Sequence, residues 1–437
     1  MSSVHYGFLL ALIASCGNTP ANVAIDATPL DAASKAADAS PNPDALSAMP
    51  TAKLSVVSET HRYAPGAMFG GWGSHLGHLV RLDNSLFWVD DACTQSTPGD
   101  CDASFNRRLE YRELVDDAWV LRTTLALPTG VQQNTGTIVD GNTLASFGVD
   151  ITTRQLIECR MQPDTWNGSC APIATAALPA STNYVGAAIS PEGYPVVWAT
   201  TVVDGGGGSF HWFVNYGAGW NGPRTGPIGG YNDASYINIA FGDDATEFVM
   251  HAQMVSGVAP NWSFVAAIAE GDATSLDPMT FTTMPAAEGD ALMSTNDVII
   301  DPKTGDTHVL ARTLAGKVAY AHRPAGGVWS EPTIWFGPTF RARWVLLENQ
   351  TLLLVHGRGA EGLVIHSFPP EVRTSGEPLV VGSAPEFIVD LPDGYDQLFG
   401  LYPEVAVYQQ VPPVSLNVVL VGADRQNEVL HVTIAGL

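Results

Sequence analysis

Arg341 and Arg343 stand two positions apart, which puts both on one face of an extended strand. A planar guanidinium grips a carboxylate or sulfate through two parallel N–H bonds, a geometry that lysine does not offer. His75 or His78 and Tyr184 or Tyr236 could divide the base and acid roles between them. Together these residue types suit β-elimination from a uronic acid. Arginine neutralises the carboxylate so that the C5 proton becomes acidic, a base takes that proton, and an acid protonates the leaving oxygen. Asn134, Asn183, Asn296, Tyr402 and Glu404 would hold the remaining hydroxyls. Each residue also has a plainer use. The histidines could be polar supports, the tyrosines could pack against a neighbouring sheet, and the arginines could pair with Glu348, Asp301 or Glu404.

These residues are far apart in the chain, so only a repeat could bring them together. From Lys53 onward there is almost no helical periodicity; short apolar runs alternate with Gly, Pro, Asn and Asp turns, the pattern of an all-β domain. Seven segments, beginning at His75, Asn134, Tyr184, Tyr236, Asn296, Arg343 and Tyr402, share one phase: a strand, a tight turn and a second apolar strand. Their starts lie 59, 50, 52, 60, 47 and 59 positions apart, the spacing of propeller blades. In a propeller the innermost strands of all blades start around one mouth of the central channel. The phase alone therefore gathers the candidate residues there.

Further strands ahead of Trp119, Trp220 and Trp329 complete the blades, and these tryptophans are expected to pack between neighbouring sheets. The C-terminal run ends one strand short of a four-stranded blade. The segment Lys53–Ser58 can fill that edge and leave no exposed row of backbone donors. The expectation is one seven-bladed β-propeller over residues 53–437, closed by its N-terminal strand; six blades would follow if one phase assignment failed.

The blade architecture, with pieces such as the run Gly326–Pro332, resembles the sialidase-like and BNR-like propellers. That set includes glycosidases, polysaccharide lyases and glycan-binding modules. The complete Ser-x-Asp-x-Gly-x-Thr-Trp box of the sialidase group is absent; Ser190–Gly193 and Asp301–Gly305 occupy hairpin turns without restoring it. The resemblance implies either of two functions. The leading one is a propeller that binds glycan or protein at its channel mouth. The alternative is an enzyme acting on acidic polysaccharide, a lyase ahead of a sialidase-type hydrolase. Hydrolysis of that type would need an activated tyrosine, an adjacent carboxylate such as Glu404 beside Tyr402, and a larger arginine cluster.

Composition sets the surroundings. With 20 Lys+Arg against 44 Asp+Glu the formal charge is −24, a field that repels nucleic acid. Residues 1–15 carry a short apolar core of signal-peptide size, and the run Leu12–Gly17 resembles a bacterial lipobox with Cys16 as the lipidated residue. Residues 16–52 then read as a tether rich in Ala, Pro and Asp. The expected setting is the bacterial cell envelope, with membrane contact through the lipid alone, a monomeric state, and an acidic glycan or a surface protein as partner. The other cysteines form two close pairs, Cys93 with Cys101 and Cys159 with Cys170, expected as loop disulfides in an exported chain. No cofactor is indicated. The acidic turns Asp90-Asp91, Asp116-Asp117 and Asp243-Asp244 are of a type that can hold Ca2+, but no Asp-x-Asp-x-Asp ladder accompanies them. His308, His322 and His366 read as scattered over outer strands. Changing Cys16 to Ser should block maturation of an anchored form. Intact-mass analysis of the mature protein checks this, and a mature chain without acyl mass would refute it.

Overall fold

The structure is a computed structural model that describes residues 52–56, 68–69, 79–93, 107–116, 118–128, 131–132, 137–150, 153–173, 178, 182–201, 203, 207–243, 247–258, 261–272, 280–338, 342–357, 362–389, 404–409, 414–421 and 427–434. Residues 52–56, 68–69, 90–93, 107, 131–132, 182–184, 227, 258, 262, 338, 404–409, 415, 417–421 and 427–434 are described by their backbone alone.

The strands form seven antiparallel sheets of four or five strands; six run outward from the channel in chain order, and the seventh takes its outermost strand from the N-terminal side of the chain. Blade one has an interrupted inner strand, Met68–Phe69 and Leu79–Leu82, both paired with Ser85–Cys93, followed by Arg107–Val115 and Ala118–Ala126. Blade two repeats this with Val131–Gln132 and Thr137–Asp140 on Thr143–Asp150, then Leu156–Gln162 and Asn167–Pro172. Blade three is Thr182–Ile189, Pro195–Thr201, Ser209–Asn215 and Trp220–Pro227; blade four is Asp233–Phe241, Glu247–Val258, Asn261–Asp272 and Thr282–Thr283. Blade five is Leu292–Ile300, Thr307–Thr313, Lys317–Arg323 and Thr333–Pro338; blade six is Ala342–Leu346, Leu352–Gly357, Leu363–Phe368 and Glu386–Val389. Blade seven is Glu404–Gln409, Val414–Val421 and Asn427–Ile434, completed by Ala52–Val56. Innermost strands neighbour one another in an unbroken circuit from blade one through blade seven and back. The expected ring and its N-terminal closure are present; the closing strand begins one residue earlier than expected, with Ala52 opposite Ile434 and Val56 opposite Leu430.

Each blade stands between two others, and in blades three and six whole middle strands are buried on both faces. Pro195–Thr201, Leu352–Gly357 and Leu363–Phe368 are buried at every position. This is why those segments read as continuous apolar runs and not as alternating ones. The inner strands must be small where a large neighbour leans on them. A Cβ on Gly186 would stand 2.2 Å from the ring of fully buried Trp198, directly opposite in the sheet, so only glycine fits there.

The expected tryptophan contacts hold at two of three positions. Trp220 of blade three packs edge-on against Phe147 of blade two and donates from Nε1 to Glu158, at 3.3 Å. Trp329 of blade five donates to Glu270 of blade four at 2.7 Å. Trp119 differs: it packs on Trp88 of its own sheet, because both side chains stand on one face of blade one. Blades five and six are tied in another way. The connection between Leu363–Phe368 and Glu386–Val389, with short 3-10 turns at Pro370–Val372 and Val381–Ser383, lies over blade five. There Arg373 makes a buried ion pair with Asp301 at 2.5 Å, Gly376 N–H donates to Asp306, and Leu379 N–H donates to the Tyr320 hydroxyl.

Cys159 and Cys170 are bonded, as the spacing suggested, but they bridge directly opposed residues of two paired strands and not a loop. The separation of 11 positions limits the stabilisation to about 3 kcal/mol. Cys93 ends a strand of blade one, and the pairing expected for it with Cys101 lies outside the described residues, as do Cys16 and residues 1–51. A chain starting at Ala52 should keep the closed ring, whereas one starting after Val56 leaves Asn427–Ile434 as an open edge. The longer truncation is expected to melt several degrees lower and to aggregate, as followed by thermal scanning with light scattering; identical behaviour of the two truncations would refute the closure.

Candidate functional site

At the face where the inner strands begin, the backbone departs from regular pairing in blade after blade. Register shifts fall between Thr182 and Val185, between Ser235 and Asn238, and between Thr295 and Asp297, at equivalent places in blades three, four and five. In blades one and two the inner strand is interrupted outright. Bulges re-aim side chains and are common beside binding sites. Two bulge positions carry residues singled out by the sequence, Tyr236 and Asn296, and a third carries Asn183 and Tyr184, placed here by backbone alone. Tyr236 has φ +52°, a left-handed conformation that is costly for a bulky side chain and persists only where the surroundings impose it.

The bulges feed a buried polar knot drawn from three adjacent blades. Thr295 Oγ1 donates to the Tyr236 carbonyl at 2.6 Å, and the Asn238 amide donates to Thr295 at 3.1 Å. Arg343 reaches from blade six across blade five: Nη1 donates to Asn238 Oδ1 at 3.0 Å and to the Asn296 carbonyl at 3.1 Å, and it lies 3.4 Å from Asp297 Oδ1. Asp297 accepts in turn from the backbone N–H of Trp344 at 2.8 Å and of Val298 at 2.9 Å. Burial pushes the Asp297 carboxyl above its ordinary range, an effect only partly offset by the Arg343 charge and those two N–H groups. One member of the cluster is left over. Asn296 is 1% exposed, and neither its amide oxygen nor its nitrogen has a partner among the described residues.

The structure thus brings together Tyr236, Asn296 and Arg343. The carboxylate on Arg343 is Asp297, not Glu348 or Asp301, because Glu348 lies 3.9 Å from Arg81 and Asp301 is taken by Arg373. Glu404 opens the inner strand of blade seven, by backbone alone; His75, His78, Asn134, Arg341 and Tyr402 lie outside the described residues. Asn238, Thr295 and Asp297 were not singled out by the sequence. Their polar side chains in otherwise apolar inner strands were the available signal, obscured because a bulge breaks the alternation used to assign faces.

Two other expectations change. His308 and His322 are not scattered on outer strands. They stack in the middle of blade five, with centroids 5.4 Å apart; the Tyr320 hydroxyl lies 2.8 Å from His308 Nδ1, and Asp306 lies 3.1 Å from His322 Nε2. The Tyr320 oxygen also accepts from Leu379 N–H at 3.1 Å. Burial brings His308 down to about 3, so it stays neutral and structural. Asp90 and Asp91 belong to a strand and not to a turn. Among the described residues no group of three or more His, Cys, Asp or Glu is placed to hold a metal ion.

Fold and mouth together define an all-β propeller with a polar cluster at the origin of its inner strands. No protein-family model and no curated protein matches the sequence. Among solved structures, an ulvan lyase of polysaccharide lyase family PL25, solved bound to -[GlcA(1-4)Rha3S]-, shares 7% identity over 85% of this chain and 95% of its own, with TM-score 0.52. Polysaccharide lyase Uly1 shares 10% over 86% and 93% of the two chains, with TM-score 0.48. A protein of unknown function from Dyadobacter fermentans shares 12% over 89% and 100%, with TM-score 0.49. At these identities the likeness to the ulvan lyase establishes the propeller fold and nothing finer.

Arg343→Ala should destabilise the domain by about 3–5 kcal/mol in urea denaturation, because it leaves Asp297 buried without its cation. The sign of the pH effect follows from the raised carboxyl. The folded chain then holds that proton more tightly than the unfolded one, so the parent loses stability as pH rises above about 4; without Arg343 the carboxyl is raised further, and the gap between variant and parent widens at pH above the parent's own carboxyl range. A variant as stable as the parent at neutral pH would show that the pair is not what holds the three blades in register.

Proposed function

We propose that the chain is a glycan-binding β-propeller whose ligand lies on the face where the inner strands begin. The reading rests on the convergence of Tyr236, Asn296 and Arg343 from three consecutive blades, with the Asn296 side-chain amide unbonded among the described residues. The side-chain amide, unpartnered among the described residues, offers a donor and an acceptor that match two neighbouring sugar hydroxyls; at 1% exposure it meets them only when binding displaces the residues that cover it. Arg343 acts in this reading as a positioning residue. Its donors hold Asn238 and the Asn296 backbone, so the bulge that presents Asn296 cannot relax. Attachment to the cell envelope through Cys16 belongs to the same proposal and would present the mouth to extracellular polysaccharide.

A second reading, β-elimination from an acidic polysaccharide, draws support from the fold shared with a lyase crystallised on a glucuronate-containing chain. It would require His75 or His78 and Tyr184 or Tyr236 to carry protons. One experiment separates the readings: calorimetric titration and ultraviolet detection of unsaturated ends, both run on ulvan and on polygalacturonate. Asn296→Ala is expected to weaken binding about tenfold or more. Absence of product at every protein concentration supports a binding protein; product lost on changing His75, His78 or Tyr184 supports the lyase. If neither polysaccharide binds, the proposal is wrong.

A further inference from the structure

In a chain with 20 cations against 44 anions, nearly every described basic side chain is engaged. Arg108 and Arg112 share Glu110, Arg160 bridges Asp140 and Glu158, Arg323 holds Glu247, and the Lys303 ammonium donates to the Pro370 and Arg373 carbonyls. Among the described residues, the basic side chains with no hydrogen bond or ion pair are Arg154, Arg312 and Lys317. Their positions are not random. Inner strands run away from the mouth and second strands return to it, so every connection from a second to a third strand lies on the mouth face. Arg154 occupies that connection in blade two, between Thr143–Asp150 and Leu156–Gln162. Arg312 and Lys317 bracket it in blade five, where Arg312 closes Thr307–Thr313 one residue from its end and Lys317 opens Lys317–Arg323.

The Arg312 side chain also lies at that face. A Cβ built on Gly316, at φ +81° in the intervening turn, would stand 3.7 Å from Arg312 Nη2, so the guanidinium lies against the turn. Its Nε is buried with no acceptor. Two carboxylates of this blade have backbone partners of their own: Asp290 Oδ1 accepts from Ala315 N–H at 3.3 Å, its Oδ2 being buried without a partner among the described residues, and Glu288 Oε1 accepts from Ile334 N–H at 3.2 Å. Neither pairs with Arg312 or Lys317. Blades two and five are three apart in a ring of seven, so the free cations stand on opposite sides of the channel mouth.

We infer that Arg312 and Lys317, with Arg154 across the mouth, form the anion-reading subsites of the glycan site. The ligand is accordingly a polyanionic chain, bearing carboxylate or sulfate, that spans the mouth. The inference rests on the glycan reading above and narrows it. A single small anion would use one side only; a polymer engages both, and the cations gain most where the acidic bulk of the protein would otherwise repel such a chain.

The test titrates the full chain with polygalacturonate, dextran sulfate and uncharged dextran, for the parent, Arg312→Gln/Lys317→Gln, Arg154→Gln, and the charge-keeping Arg312→Lys/Lys317→Arg. Matched melting curves establish folding. Binding of either polyanion is expected to fall about tenfold or more in each Gln variant, to survive in the charge-keeping variant, and to weaken in salt less steeply once the charges are gone. Which polyanion responds identifies carboxylate or sulfate. Folded Gln variants that bind polyanions like the parent overturn the inference and leave the glycan reading intact, as does tighter binding of dextran than of either polyanion. Failure of the parent to bind any of the three overturns both.

Discussion

The constraint on which the molecule depends is that sheets such as those of blades three and four bury apolar side chains on both faces. Trp198, Trp212 and Phe248 are fully buried, and no single blade could cover them; Trp212 meets Phe248 edge-on across the joint between blades three and four, with centroids 5.7 Å apart. A sheet of this kind is insoluble alone and gains its stability only when both neighbours are in place. An open row would leave two apolar faces in water. The circuit must close, and the short pairing of Ala52–Val56 with Asn427–Ile434 closes it.

Closure has a chemical side effect. It forces the origins of seven inner strands into one small ring, where polar side chains have few options. At blades four to six they satisfy one another through Arg343, which links Asn238, the Asn296 carbonyl and Asp297. Such a knot fixes the channel wall firmly, but the arginine most visible in the sequence is consumed in building the site. Arg312, Lys317 and Arg154, on the connections one strand further out, have no such duty.

The architecture was legible because blade spacing is a property of phase, and phase survives even where individual strands are too uniformly apolar to show alternation. The site was legible in part. Tyr236 and Asn296 were found because the phase marks strand origins, and both turned out to sit on bulges. The contribution of Asp297 was hidden by those same bulges, since each shifts the face on which the following residues fall. Arg312 was missed for another reason: it belongs to a second strand, and its want of an ion pair among the described residues is a matter of tertiary contacts that the sequence does not show. The stacked His308 and His322 looked scattered because their neighbours in sequence are apolar, while their partners Tyr320 and Asp306 come from the opposite strand and the adjoining turn.

The joints of the ring are unequal. Between blades five and six the Arg373–Asp301 pair, the Gly376 contact with Asp306 and the Leu379 contact with Tyr320 add a buried rivet to the ordinary face-to-face packing. The seventh blade has instead a hem stitched by five residue pairs between the two chain ends. A closed hoop with one riveted seam and one stitched seam has a preferred line of fracture. Under mechanical or thermal load it should unroll from the stitched seam, blade by blade, and the riveted pair should be the last to part.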